Sequence, residues 1–147
     1  MDMNHQQVKN ILSYIDQTQP EDVKRDVFNQ LGYECFYTRK MVEWIAPYQD
    51  NIQAFLDRVN IEDKSPYWKQ LAFNEDASIL YLTGKKRSEC ACTFAACEQP
   101  PLSLCQYCCK TFQENVFSTL FRRKVEVEIT ESILLGGERC STAIHLL

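Results

Sequence analysis

A chain of 147 residues is long enough for one domain that buries about two thirds of its unfolded surface without crosslinks. With 45% hydrophobic and 24% charged residues and four glycines, the composition excludes a disordered or fibrous protein. The formal net charge of -4 and pI near 5.2 leave no electrostatic footprint for nucleic acid, and no apolar stretch approaches the roughly 18 residues of a membrane span.

The first residues, MDMNHQQ, lack the basic-then-apolar order of a secretory signal. A cytoplasmic chain with free thiols is therefore expected. Residues 4 to 17 read as an amphipathic helix, with Val8, Ile11, Leu12 and Ile15 at spacings of three and four. Pro20 starts a second, with Glu21 and Asp22 beside it to complement the helix dipole. That helix reaches Gly32, which either ends it or lets another backbone approach closely before Cys35 and Phe36. A third helical stretch over 38 to 59 is interrupted by Pro47, which implies a kink or two shorter helices. Residues 60 to 69 are polar and contain Ser65-Pro66, so they read as a connection, with Tyr67, Trp68 and Leu71 folding back on the core.

Strand character begins near Ser78. Ile79 to Leu82 precede a turn at Gly84-Lys85-Lys86-Arg87, and Glu89 to Ala95 are expected to return as the partner strand. After Pro100-Pro101 a helix is expected over 102 to 121, with Cys105, Cys108, Cys109, Phe112, Val116 and Leu120 as its inner stripe. The last hairpin has Val125, Val127 and Ile129 alternating with Glu126 and Glu128, a turn at Gly136-Gly137, and a return strand over 140 to 147. No repeat or long linker divides the chain. The expectation is a single α+β domain over 1–147: mainly helical over 1–76, then hairpin, helix and hairpin over 77–147, forming a small twisted antiparallel sheet packed on helices.

The chemistry is concentrated in residues 89 to 110, which hold six of the eight cysteines. Cys90 and Cys92, two apart on a strand, would point to one face. Cys105 is a helical neighbour of Cys108 and Cys109. Two such pairs brought together supply four thiolates, for which zinc is the first choice; an iron-sulfur cluster is the less favoured alternative. The metal set expected from spacing is thus Cys90, Cys92, Cys105, Cys108 and Cys109. Cysteine also serves as a small core hydrophobe, and the position of the trio near a helix start favours thiolates. His5 reads as idle and His145 as facing away from Cys140 along its strand. Glu89, Glu98, Glu131 and Glu138 are near the cysteines in sequence, but no spacing singles one out as an acid or base. No phosphate-binding, metalloprotease, serine-hydrolase or dinucleotide motif is present.

Val125-Glu126-Val127-Glu128, then Glu131 through Gly136-Gly137 to Cys140, then Ala143-Ile144-His145-Leu146, resemble the closing motif of the 4-vinyl reductase domains and the L-2-amino-thiazoline-4-carboxylic acid hydrolase-like proteins. Leu104-Cys105-Gln106-Tyr107-Cys108-Cys109 and the segment from Arg25 through Leu31-Gly32 to Cys35 resemble the cysteine-rich bacterial hydrolase-like branch. The resemblance implies the fold shared with haem nitric-oxide sensors and vesicle-tethering subunits, a small-molecule or metal pocket, and homodimers. The chain departs from the motif at Ile133-Leu134-Leu135, where many 4-vinyl reductase domains carry a second cysteine. It also offers no helical histidine suited to haem.

Three functions follow as expectations. The first is a small-molecule or metal-binding, sensor-like domain, with zinc on Cys90, Cys92, Cys105 and Cys108; Cys109 can replace Cys108, and Cys140 or Cys35 can approach the same pocket. The second is a hydrolase opening a C–N bond of a small heterocycle, using a cysteine near Cys108 and Cys109 or a metal-activated water. The third is a thiol-redox protein using Cys105 and Cys108.

Overall fold

The computed structural model describes residues 5–65, 67–88, 92–95 and 99–147. Helix α1 (His5–Thr18) turns at Pro20 into α2 (Glu21–Thr38), whose first turn carries Glu21 and Asp22 where the helix dipole favours negative charge. The second helix does not stop at Gly32 but runs through it for six more residues. Pro47 divides the next stretch, as expected: α3 (Met41–Ile45) passes into a 3₁₀ turn (Ala46–Tyr48), and α4 (Ile52–Asn60) restarts behind an Asn51 cap that accepts the Ala54 N–H at 3.1 Å.

Four antiparallel strands follow: β1 (Trp68–Asn74), β2 (Ile79–Gly84), β3 (Val125–Glu131) and β4 (Ser141–Leu146), in the order β1-β2-β4-β3. Between β2 and β3 lie a 3₁₀ turn (Thr93–Ala95), a π-helical turn (Leu104–Cys109) and α5 (Lys110–Phe121). The fold class is α+β, with helices on a small antiparallel sheet. The C-terminal hairpin is present, although Ser132 to Cys140 form a longer connection containing a further 3₁₀ turn at Ile133–Leu135.

The first hairpin is not the one expected from the sequence. The partner of β2 is β1, upstream of it, and its other side is paired with β4. Both edges of β2 are thus occupied. Of Glu89 to Ala95, the part within the described residues, 92–95, makes a 3₁₀ turn; Cys90 lies outside the described residues. The 1–76 region accordingly contains a strand as well as helices.

The main core joins Leu71, Leu80, Leu82, Val125, Val127 and Ile144 from the sheet to Phe36, Ile45, Phe55, Val59, Val116, Phe117 and Leu120 from the helices. Phe55 stands edge-on to Trp44, Trp68 and Phe117 at centroid distances of 5.9, 6.2 and 6.3 Å. The two fully buried rings among them, Phe55 and Phe117, are each worth about 1.5–3 kcal/mol relative to exposure. A second cluster, Leu12, Phe28, Ala95, Leu104 and Cys108, locks α1 and α2 to the π-helical turn. Ile11, expected on the inner face of α1, is half exposed. Cys108 belongs to this second cluster, and Cys92 packs against it. Among the described residues, no helix is long and apolar enough to cross a membrane.

Candidate functional site: a thiol-lined cavity

The π-helical turn is the base of the site. Its hydrogen bonds reach one residue further than those of an α-helix and widen the backbone locally, a feature that recurs at functional sites. From it Cys105, Cys108 and Cys109 all face one cavity of about 160 Å³. Cys35 from α2, Cys92 ahead of the 3₁₀ turn and Cys140 ahead of β4 complete the thiol lining. Six of the eight cysteines therefore meet around one space, and all six are free thiols. Trp68, Leu104, Phe112 and Ile133 supply apolar wall. The charged side chains that line it are all cationic: Arg39, Lys85 and Arg87.

Two glycines make this convergence possible. A Cβ on Gly32 would stand 2.6 Å from the Cys108 carbonyl oxygen and 3.0 Å from the Thr111 side chain, so only glycine lets α2 pack directly on the π-helical turn. A Cβ on Gly84 would clash with the Cys140 carbonyl oxygen. The end of β2 thus admits the backbone that delivers Cys140. The loop carrying it is held by Glu131, whose carboxylate accepts the N–H groups of Glu138 and Arg139 at 2.9 and 3.2 Å. Glu131 is in this way a structural residue of the Gly136-Gly137 loop.

The thiols differ in character. The Cys108 thiol donates a hydrogen bond to Cys35 and the Arg39 guanidinium lies close by; against the opposing effects of burial and Glu34, they bring the Cys35 thiol down to about 7. Cys108 is pushed up strongly, first by holding that hydrogen bond and then by burial. Burial pushes Cys109 up to about 12, although Gln113 Nε2 donates to its sulfur at 3.3 Å. Burial also raises Cys92 and Cys105, the latter 3.1 Å from the Ser132 hydroxyl. Gln113 is oriented by the Thr142 hydroxyl, which donates to its Oε1 at 2.8 Å. Arg39 donates to Tyr67 Oη at 2.8 Å and lies 5.9 Å from the Phe112 ring centroid.

Of the metal set expected from spacing, Cys92, Cys105, Cys108 and Cys109 line the cavity. Cys92 reaches it from a turn and not from a strand face. Among the described residues, no three or more histidine, cysteine or acidic side chains are grouped closely enough to hold a metal ion. Cys35 and Cys140, named from the sequence only as possible additions, stand on equal footing with the others. Arg39 and Gln113 were missed. The signal for both was helical spacing, since Arg39 follows Cys35 by four and Gln113 follows Cys109 by four. His145 lies apart, 3.5 Å from Glu128, on a separate groove.

No known protein family and no curated protein matches this sequence. Among solved structures the chain is similar to trafficking protein particle complex subunit 3 from Naegleria fowleri, covalently bound to palmitic acid. The identity is 11%, the TM-score 0.41, and the match covers 99% of this chain and 84% of that one. At that level of likeness no site residue passes from one chain to the other.

Proposed function

We propose that this chain is a sensor-like binding domain whose cavity takes a small thiophilic ligand, either an organic molecule or a metal ion. The observation that carries the reading is the meeting of six free thiols around one mostly apolar space. Thiols needed only as small core hydrophobes have no reason to share a cavity. A volume of about 160 Å³ accommodates a group about the size of benzene. A metal ion would need the described thiols to draw closer than they stand; zinc is the metal such a donor set would favour, followed by an iron-sulfur cluster.

The experiment is to purify the chain without added metal or chelator, count zinc, iron and free thiols, and follow the melting temperature against thiophilic probes. About one zinc per chain, with thiols released only by a chelator, supports the metal form. Metal-free protein that melts higher with phenylarsine oxide supports the small-molecule form; a ligand at 100 times its Kd adds about 2.7 kcal/mol. Metal-free protein that melts at the same temperature with phenylarsine oxide, zinc or cadmium sinks the proposal.

A hydrolase is the second reading, favoured by one observation: the Cys35 thiol is held near 7 beside Arg39. The nucleophile would then be Cys35 and not Cys108 or Cys109, whose thiols are raised. Turnover of a small cyclic amidine or thiazoline that is lost on alkylating Cys35 would support it.

A further inference from the structure

Cys35 and Cys108 come from the two elements that pack directly on each other at the cavity, α2 and the π-helical turn. Gly32, one helical turn before Cys35, brings α2 onto the carbonyl of Cys108, and both thiols face the same cavity. Cys35 is half-buried, whereas Cys108 is only 5% exposed. Of the two, Cys35 is therefore the one an incoming reagent reaches first. Among the described residues the charged lining is cationic, although Lys85 is paired with Asp63 at 3.1 Å, and Arg39 is one helical turn from Cys35.

We propose that Cys35 and Cys108 form a dithiol that exchanges with small anionic disulfides entering the cavity. The Cys35 thiolate attacks one sulfur of R–S–S–R, which forms a Cys35–S–S–R mixed disulfide and releases R–S⁻. Cys108 then gives up its proton and attacks the Cys35 sulfur, forming the Cys35–Cys108 bond and releasing the second R–S⁻. Two electrons pass from the two cysteines to the reagent, and their two protons end on two molecules of R–SH. This goes beyond ligand binding, because it consumes two thiols and leaves a covalent product. It also replaces Cys105 by Cys35 in the redox pair expected from the sequence.

The probe is dithiodiglycolate, a small dicarboxylate disulfide, applied to the full chain after reduction. The expected result is a first phase that removes two free thiols per chain, with peptide mapping joining Cys35 to Cys108. Cys108→Ser should stop at one thioglycolyl group on Cys35, and Cys35→Ser should leave Cys108 unreacted over the same period. A first bridge between any other pair, a persistent mixed disulfide without a bridge, or no loss of thiols overturns the proposal. The wild-type map decides by itself if either variant fails to fold. For the charge preference, cystamine serves as the cationic counterpart, each rate being divided by that of the unfolded chain. Dithiodiglycolate should be favoured several-fold, and Arg39→Gln should reduce the preference; equal ratios in the folded wild type overturn the anionic assignment. Because the exchange is read by mass and not by affinity, it can fail while the binding proposal stands, or the reverse.

Discussion

At Cys35, three neighbours and burial act on one sulfur. The Cys108 hydrogen bond is the largest influence and stabilises the thiolate, burial opposes it, Arg39 assists, and Glu34 weakly opposes. If the hydrogen bond is decisive, its loss should move reactivity more than the loss of the cation. Alkylation of Cys35 by iodoacetamide, followed by quenching and peptide mass spectrometry, should rise with pH around a midpoint near 7, compared with 9.0 for an ordinary thiol. In Cys108→Ala the midpoint should move toward or above 9.0, since burial is then opposed only by the weaker attraction of Arg39. Arg39→Gln should shift it in the same direction by less. A wild-type midpoint at the ordinary thiol value would remove Cys35 as the most reactive cysteine and weaken the hydrolase reading.

At the scale of elements, the cavity depends on where backbones touch. Gly32→Ala places a methyl group against the Cys108 carbonyl and Thr111, atoms fixed by the π-helical turn and α5, so α2 must retreat. Overpacking of this kind costs about 1–3 kcal/mol, and urea titration should show at least that. Gly84→Ala meets the Cys140 backbone at closer range and should cost more, while also speeding the alkylation of Cys140 as its loop is pushed away. A pair of variants as stable as the wild type would mean that these contacts do not set the cavity. From the sequence, Gly32 was open between a helix end and a close approach, and the choice required knowing that the cysteine turn packs on it. The helical stripe of Cys105, Cys108 and Cys109 was legible because it follows a local period. Strand β1 was not legible, and a bulge explains why. The register shifts between Trp68 and Gln70, so Trp68, Leu71 and Phe73 break the two-residue alternation that marks a strand. Without β1, the hairpin partner of β2 was sought downstream and Cys92 was assigned to the wrong kind of element. Cys35 and Cys140 join the cavity through long-range packing, which no local period reports.

For the whole molecule, the thiols make stability depend on pH in two opposing ways. In Cys35 the folded state lowers the ionisation point from 9.0 to about 7. Between those values the unfolded chain holds the proton that the folded chain has released, so this group favours folding more as pH rises from about 7 to 9, and that gain is lost as pH falls through 7. Cys92, Cys105, Cys108 and Cys109 are all raised. Above 9.0 the unfolded chain releases their protons while the folded chain keeps them, so their contribution is complete below 9.0 and is lost as pH rises, for Cys109 through about 12. Four groups against one make the alkaline side dominant. Urea midpoints measured in reductant should therefore rise modestly between about pH 7 and 9, from Cys35, and fall steeply between about pH 9 and 11. Methylthiolation of all accessible thiols is not a suitable control, because it fills the cavity; Cys109→Ala is better, since it removes one titrating group and should make the alkaline fall shallower. A midpoint that stays level through that range would mean that the thiols are not enclosed as described, and the cavity would then lose its claim to be a desolvated site.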